Sequence, residues 1–449
     1  MTILYGVCAW GLGHATRSLP ILRRLVDDHR VLVYSDGAAL AYLRRELGPR
    51  ATFLGAGAPY PNIFGGRVLA LGFFARAPRL IAAMRAEYRE TQRLVAAHGV
   101  DRVVSDSRWG VSSPSVPSIF IAHHLRQLAP PRFRAAERLT EWVTWRAIHR
   151  RYRRILVPDV AEDGGLSGRL AHGLRSYDPS QLVYLGLLSD LTPGRSSAAA
   201  DVDTLVVLGG PEPSRSRFET RLVPELSRLP GRTVVLRGLP AGDGPPWHAD
   251  GVEALAHANR NDRNRLFDTA RVIVGRSGYS TLMDVAQVGA RALLVPMRGQ
   301  TEQEYLAARL ARKGLVHAVA ERDVDLSRDV PLAGLRRGLD GVVRRGAGGR
   351  GDPSRSAGSR AGGEDSRRPR RGPAAAARSR LAGRRSRRER RDAHSCLSAE
   401  IPRVRHPELL AHGLPDVFTD GAPERLSVCL TFPDPSHQRF CQSPDRGAQ

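Results

Sequence analysis

The chain has 449 residues, enough for two or three domains of ordinary size, and 41% of them are hydrophobic, which suffices for apolar cores over most of its length. The formal net charge of +24 is typical of proteins that bind nucleic acid or an anionic membrane. However, residues 346–392 alone carry 15 Arg against 5 acidic residues. Because so much of the excess is concentrated there, we expect no nucleic-acid partner.

The spacing of Cys8, Cys396, Cys429 and Cys441 resembles neither a zinc site nor a disulfide framework. No stretch approaches the ~20 apolar residues of a membrane-spanning helix. The N-terminus lacks the basic-then-apolar pattern of a signal peptide. The sequence therefore predicts a cytoplasmic protein without a metal or other bound cofactor, and a peripheral position at the inner face of the membrane stays open.

Short apolar runs alternate with longer amphipathic segments, which is the pattern of βα units in a parallel sheet. In the first half we predict strands at residues 3–9, 31–35, 102–105, 118–122 and 154–158, and helices at residues 15–28, 38–47, 78–98 and 134–151. The alternation restarts after a polar stretch, with strands at residues 204–208, 233–237, 272–274, 292–295 and 316–319, and helices at residues 215–228, 280–288 and 303–313.

This order predicts an α/β protein with two Rossmann-like domains that face each other across a cleft. The first is expected at residues 1–192 and the second at residues 202–345, joined by a linker at residues 193–201. Residues 346–449 are expected to be a disordered tail, because the Arg-rich, Gly-rich composition of its first half cannot bury enough apolar surface to offset chain entropy. The tail is either a genuine basic segment or the product of a frameshift near residue 345.

The first predicted strand leads into a glycine turn, Trp-Gly-Leu-Gly-His-Ala-Thr-Arg, and then into an apolar helix. Gly11 and Gly13 let backbone N–H groups approach a ligand at the positive end of the helix dipole. Because Arg17 and Ser18 stand where a third glycine is needed, the turn lacks the nicotinamide-dinucleotide fingerprint. His14, at the start of the helix, is either a general base facing the cleft or a capping or packing residue.

Candidate residues follow other strand ends as well. Gly209 and Gly210 come after the first strand of the second domain, where they either line the cleft near the phosphates or form only a tight turn. Asp106 ends a strand of the first domain and is the second candidate for the base. The neighbouring pair His123 and His124 follows another strand end, without a role that the sequence assigns.

The most informative turn, Gly-Arg-Ser-Gly-Tyr-Ser-Thr, lies between a strand and a helix of the second domain. Small hydroxyls and open amides at a helix N-terminus suit a pyrophosphate. These groups belong to Ser277, Gly278, Ser280 and Thr281. Arg276 adds a positive charge for the leaving diphosphate. Asp284 lies one turn further on the same helix face, either to accept the ribose hydroxyls or to stabilise the helix dipole as a first-turn acid.

A dense polar stretch, Arg-Gly-Gln-Thr-Glu-Gln-Glu-Tyr, follows the next predicted strand, at the sheet edge where open α/β sheets bind ligands. Gln300, Glu302 and Gln303 are candidate partners for sugar hydroxyls, since Gln and Glu supply donors and acceptors without a metal ion. The alternative is that Glu302 and Glu304 only begin a solvated helix.

These last two stretches resemble the donor-binding region of GT-B glycosyltransferases, and are similar to the peptidoglycan lipid-intermediate N-acetylglucosaminyltransferase family. In that family an R-S-G turn, an acidic residue in the next helix and a Gln-containing loop hold UDP-N-acetylglucosamine. The resemblance implies that Ser277 and Gly278 contact the diphosphate, Asp284 the ribose and Gln303 the sugar. Asp284 stands in place of the usual Glu, which shortens its reach by one methylene.

The chain is also similar to a group of predicted glycosyltransferases at W-G-L-G-H-A-T-R, S-D-S-R-W-G, V-P-S-I-F-I-A-H-H-L, G-P-E-P-S-R, R-G-L-P and G-Q-T-E-Q-E-Y-L-A. This resemblance covers residues 3–319. It implies transfer of a sugar from a nucleotide sugar, expected to be UDP-linked, to an unidentified acceptor such as a lipid-linked or cell-envelope glycan.

The predicted reaction is inverting and metal-independent, since no D-x-D motif stands at a strand end and a helix dipole with Arg276 replaces a cation. Two other functions stay open. One is a nucleotide-sugar 2-epimerase, which uses a similar two-domain fold. The other is a non-catalytic nucleotide- or polyanion-binding protein that relies on the Arg-rich tail.

Overall fold

The computed structural model describes residues 1–56, 69–129, 133–192, 201–239 and 249–339, with only the backbone for residues 69–77. The predicted tail and nearly all of the predicted linker lie outside these ranges. Within them the chain forms two sheets in which every neighbouring pair of strands is parallel. The prediction of two Rossmann-like units is confirmed, while the domain boundaries stay predictions.

The first sheet has the strand order β3-β2-β1-β4-β5-β6-β7. Its strands are β1 (Thr2–Val7), β2 (Arg30–Ser35), β3 (Thr52–Gly55), β4 (Arg102–Asp106), β5 (Ser118–Ile121), β6 (Arg154–Val157) and β7 (Leu182–Tyr184). Because β1 lies between β2 and β4, the order reverses at β1, and the crevice beyond the carboxyl ends of β1 and β4 is the place where such sheets bind ligands.

The second sheet has the order β10-β9-β8-β11-β12-β13 and reverses in the same way at β8. Its strands are β8 (Val202–Val207), β9 (Thr233–Leu236), β10 (Val252–Leu255), β11 (Ala270–Gly275), β12 (Arg291–Leu294) and β13 (His317–Ala318). The corresponding crevice lies beyond the carboxyl ends of β8 and β11.

Helices connect the strands and cover the sheets. They are α1 (Gly13–Asp28), α2 (Gly37–Leu47), α3 (Leu69–His98), α4 (Ala135–Ile148), α5 (Ser214–Leu226), α6 (Arg260–Thr269), α7 (Tyr279–Gln287), α8 (Thr301–Arg312) and α9 (Leu326–Gly334). Strands β1, β2 and β4 are buried along nearly their whole length, as expected for a parallel sheet covered on both faces.

One apolar cluster contains residues of both sheets and joins the two halves of the chain. Leu19 and Leu22 of α1 and Leu282 of α7 belong to it, and α1 and α7 are in contact. Because these two helices follow the central strands β1 and β11, their contact brings the carboxyl edges of the two sheets together.

The sequence pattern missed five elements: β3, β7, β10, α6 and α9. The three strands are edge strands of their sheets, contain three or four residues and are only partly buried, so they lack a continuous apolar run. Helix α6 buries only Leu266 and Phe267, and α9 is short and contains Pro331. Conversely, α3 begins at Leu69 and includes Pro78, where the pattern placed its first residue.

No helix among the described residues is long and apolar enough to cross a membrane. Likewise, the described ranges contain no group of three or more His, Cys, Asp or Glu side chains arranged to hold a metal ion.

Candidate active site

The N-termini of α1 and α7 meet where the two sheet edges face each other. The hydroxyl of Ser280, in the first turn of α7, donates to the backbone oxygen of Gly13, the first residue of α1, at 2.8 Å. Among the described residues, no side chain caps either helix. The first amides of a helix have no partner within it and carry the positive end of its dipole. Two helix N-termini that meet at one place therefore favour the binding of an anion.

Several glycines of the turns that follow strands leave room beside the backbone. A Cβ atom at Gly11, Gly209, Gly210 or Gly278 would meet no described atom within 4 Å. Gly11 has φ +80° and Gly210 has φ +108°, conformations that favour glycine. Gly13 differs, because a Cβ there would lie 2.9 Å from the Ser280 hydroxyl. The turns that the sequence assigned to the phosphates therefore border open space.

His14 is the second residue of α1 and forms a pair with Asp106 at the end of β4. Its Nδ1 lies 3.0 Å from Oδ1 of Asp106, and since a carboxylate only accepts, Nδ1 carries the proton. The lone pair is consequently on Nε2. Burial and the nearby charge of Arg17 lower the pKa of His14, although Asp106 acts in the opposite direction. A neutral imidazole with a basic Nε2 is the form that a general base needs.

Asp106 was the second candidate for the base, and its side chain is held by several hydrogen-bond donors at the end of β4. The side chain is wholly buried and accepts from Arg17 Nε at 2.9 Å, from the Ser18 hydroxyl at 2.7 Å and from His14. A second guanidinium nitrogen of Arg17 also pairs with it. Burial raises its pKa, but Arg17 and His14 outweigh that effect and hold the pKa below the usual range. In this arrangement Asp106 orients His14, and its role as the alternative base stays a prediction.

Arg17 extends the pair into a chain of contacts that crosses the cleft. Its Nη1 donates to Nδ1 of His123 at 2.7 Å. Because guanidinium is a donor only, the proton of His123 sits on Nε2, which lies 2.9 Å from Oε1 of Glu302 in α8. Burial lowers the pKa of His123 to about 4, so this ring is neutral. The ring stacks on Tyr279 of α7, with centroids 4.0 Å apart.

Glu302 is consequently a cross-cleft contact, and its role as a partner for the donor sugar stays a prediction. One carboxylate oxygen faces Nε2 of His123 and the other lies 3.2 Å from Nδ1 of His124. These contacts explain the two histidines that the sequence left without a role. They hold the start of α8 against the first sheet.

Side-chain hydrogen bonds hold the turns of the second domain, and they come from Ser277, Gln300 and Gln303. The hydroxyl of Ser277 is buried and donates to the backbone oxygen of Gln303 at 2.8 Å. The amide oxygen of Gln303 accepts from Met297 N–H at 3.0 Å, and that of Gln300 caps α8 by accepting from Gln303 N–H at 2.7 Å. The Ser277 hydroxyl is therefore engaged within the second-domain turns. Thr281 lies partly buried in the first turn of α7.

Arg276 does not face the cleft, contrary to its prediction. Only 5% of its surface is exposed, and Nη1 donates to Glu321 at 2.9 Å and to the backbone oxygen of Val295 at 3.2 Å. The guanidinium lies 3.8 Å from the centre of the Phe218 ring. Neighbouring residues in an extended turn point to opposite sides, so Arg276 points away as Ser277 points toward α8.

Asp284 is also placed differently from its prediction as the ribose acceptor. It accepts from the Ser189 hydroxyl at 2.6 Å and forms an ion pair with Arg263. Burial raises its pKa despite the charge of Arg263. Asp284 shares a helix face with Ser280, and that face of α7 packs against the first half of the chain. The carboxylate therefore stabilises the junction of the two halves.

We expect Asp284→Asn to lower the free energy of unfolding by about 1–3 kcal/mol, because Arg263 loses a charged partner in a buried position. Binding of UDP or dTDP should be unchanged, since the side chain does not reach the cleft. Urea denaturation and titration calorimetry measure the two effects separately. A large loss of nucleotide affinity with normal stability would restore the ribose role.

Two parts of the sequence match glycosyltransferase families. Residues 1–57 match Glycosyl transferase family 1, and residues 260–330 match the Glycosyltransferase family 28 C-terminal domain. The first match includes the glycine turn and His14, and the second includes the start of α7 and the start of α8. The two segments that meet across the cleft thus belong to the matched regions.

Solved structures show the same fold. The chain is similar to the spinosyn forosaminyltransferase SpnP, with 13% identity and a TM-score of 0.51 over 77% of this chain and 94% of that one. It is also similar to the glycosyltransferase SnogD from Streptomyces nogalater, with 16% identity and a TM-score of 0.50 over 77% and 94%. A comparison with curated proteins found no match. The chain therefore has the GT-B fold, and two of its segments match glycosyltransferase families.

Three residues to which the sequence assigned no role complete these contacts: Arg17, Arg263 and Asp190. Arg17 links Asp106 to His123, and Arg263 joins Asp284 to Asp190. One signal was present for Arg17, because it lies three residues after His14, beside Ser18, on a helix face that is otherwise apolar. The sequence contained no comparable signal for Arg263, which lies in a strongly polar helix.

Proposed function

We propose that the chain transfers a sugar from a nucleoside-diphosphate sugar to an acceptor hydroxyl with inversion at the anomeric carbon. The observation that carries this proposal is the hydrogen bond between His14 and Asp106 beside the uncapped N-termini of α1 and α7. Sugar transfer needs a base for the acceptor and positive potential for the leaving group. Both lie here within one turn of each other.

In the proposed step the acceptor hydroxyl gives its proton to Nε2 of His14, and its oxygen bonds to the anomeric carbon. The bond between that carbon and the diphosphate oxygen breaks, and its electron pair leaves with the nucleoside diphosphate. Attack on the face opposite the leaving group inverts the configuration. The buried carboxylate of Asp106, 3.0 Å from Nδ1, stabilises the imidazolium that forms.

Backbone amides at the start of α7 take the charge of the leaving diphosphate in this proposal. Arg276 is paired with Glu321, so the helix terminus supplies the positive potential that the sequence assigned to the arginine. UDP is the proposed nucleotide, because the R-S-G turn resembles the UDP-binding turn described above and lies inside the family 28 match. We propose that no divalent cation is needed.

The test uses the full chain with UDP- and dTDP-sugars, in the presence of EDTA. UDP is expected to raise the melting temperature more than dTDP, and UDP should be released when an acceptor is added. Nuclear magnetic resonance of the product then gives the anomeric configuration. Retention of configuration, or activity that EDTA abolishes, would overturn the mechanism, and stabilisation by neither nucleotide would overturn the donor site.

The Gly13→Ala variant tests whether the two halves of the chain must be in contact at α1 and α7 for turnover. The new Cβ would lie 2.9 Å from the Ser280 hydroxyl, so it should hold α1 and α7 apart and displace the adjacent His14. Such overpacking costs about 1–3 kcal/mol, and kcat is expected to fall about tenfold. Adding Ser280→Ala removes the clashing oxygen and should restore most of the activity. A double variant as slow as Gly13→Ala would contradict this account.

A further inference from the structure

Helix α4 turns its two acidic side chains toward the protein. Its buried residues are Glu137, Glu141, Thr144 and Ile148. Glu141 accepts from Arg126 Nε at 2.7 Å and from the backbone N–H groups of residues 175 and 176 at 2.5 and 2.6 Å. Glu137 accepts from Arg169 at 3.1 Å. Because these partners satisfy the buried carboxylates, the polar face of α4 is its inner face.

The outer face of α4 is correspondingly apolar. Leu139, Trp142 and Val143 are 61%, 49% and 52% exposed, and Phe133 just before the helix is 55% exposed. Spacings of three and four residues place the three helical side chains on one side. A single exposed apolar residue is ordinary, but a contiguous group on one helix face marks an interaction surface. We call this group, with its flanking arginines, the α4 face.

The charge of the α4 face is positive throughout. Arg138 flanks the apolar side chains, and Arg146 continues their side of the helix one turn further. Arg134 and Arg150 are exposed at the two ends. Between residues 133 and 153 the sequence has two acidic residues, and both are the buried glutamates of the inner face. An occupant of the α4 face must therefore offer apolar surface together with negative charge.

This requirement distinguishes among the molecules that could occupy the α4 face. The Arg-rich residues 346–392 of the same chain carry positive charge, and so does a second copy of a chain with net charge +24, so both are repelled. Nucleic acid matches the charge but gives Leu, Val and Trp side chains little apolar surface. The interface of an anionic bilayer offers both, because hydrocarbon lies directly beneath its charged headgroups.

We propose that the α4 face docks this protein on an anionic lipid bilayer. Leu139, Trp142 and Val143 enter the boundary between headgroups and acyl chains, and Arg138 and Arg146 contact the headgroups. The α4 face shares no residue with the candidate active site, so the proposal does not depend on the transfer chemistry. Its failure would leave the proposed function untouched.

The test is co-sedimentation of the full chain with phosphatidylglycerol-containing vesicles and with pure phosphatidylcholine vesicles. The Arg-rich residues 346–392 also attract anionic vesicles, so partition is measured again at about 1 M salt, where the Debye length is about 3 Å and charge alone no longer holds the protein. Binding that persists there reports apolar insertion. We expect it to persist with phosphatidylglycerol vesicles that were loaded at low salt.

The double variant Leu139→Ser/Trp142→Ser should lower the high-salt partition at least about tenfold, since each loses an apolar group that the bilayer buries. Leu335→Ser is the matched control, because Leu335 is 83% exposed on the second half of the chain, and its partition should equal that of the wild type. Circular dichroism checks that both variants fold. Equal partition of the double variant and wild type, or a lipid-free dimer that the double variant abolishes, would overturn the proposal.

Discussion

Replacing His14 by alanine is expected to lower kcat by about two to four orders of magnitude, because the acceptor hydroxyl loses the group that takes its proton. The hydrogen bond from Nδ1 to Asp106 leaves Nε2 as the basic nitrogen. Affinity for UDP should change little, since the diphosphate is expected to contact backbone amides. Steady-state release of the nucleoside diphosphate gives kcat, and calorimetry gives the affinity.

The pH profile gives an independent check on His14. A base works in its unprotonated form, so activity is lost as pH falls through the pKa of the imidazole. Burial and Arg17 lower that pKa, which places the acidic limb of kcat/KM below the ordinary histidine value of about 6.5. His29→Ala, at the other end of the same helix, serves as the control and should behave as wild type. Unchanged kcat in His14→Ala would exclude this residue as the base.

Asp106→Asn is expected to have the largest effect on stability, at about 3–5 kcal/mol, because it leaves the buried Arg17 without its counter-charge. Both side chains are essentially inaccessible, with 1% and 0% exposed. The variant should also lower kcat, since the orientation and the proton position of His14 depend on the same carboxylate. Chemical denaturation measures the free energy of unfolding, and the release assay measures kcat.

The Asp106→Asn substitution should also change how the free energy of unfolding depends on pH in the acidic range. The pKa of Asp106 in the folded chain lies below its unfolded value of about 3.9, so the carboxylate stabilises the fold above that value and this contribution is lost as pH falls. Asp106→Asn should therefore flatten the decline of stability as pH falls below about 4. Asp28→Asn is the control, because that side chain is 55% exposed. If both variants were equally stable, the buried pair would not hold the site together.

Much of the fold followed from local pattern. Central strands such as β1, β2 and β11 are continuous apolar runs, and each is followed by a glycine turn and an amphipathic helix, so their existence and order were predicted from the chain. The edge strands β3, β7 and β10 were missed, because a strand buried on few sides needs few apolar residues. The position of these edge strands is set by their pairing with the adjacent strands of the sheet.

The candidate site, like the fold, could be predicted only in part from local sequence. A glycine turn at the carboxyl end of a strand predicts an anion site from local chemistry alone, and the turns at Gly11 and Gly278 lie where this rule put them. Side-chain roles were less predictable. Arg276 and Asp284 have suitable chemistry and suitable positions in sequence, but each is itself buried and paired with a charged side chain of Glu321 or Arg263.

Local sequence thus determined which residues form strands, which turns expose amides and which sheet edge carries the site, because these depend on periodicity and backbone conformation within a few residues. The pairing of His14 with Asp106, 92 residues apart, and of His123 with Glu302, 179 residues apart, was decided only when the sheets assembled. Periodicity gives the direction of a side chain relative to its own helix. It contains no information about which surface packs against that helix, so the contact of α1 with α7 was decided only in the assembled fold.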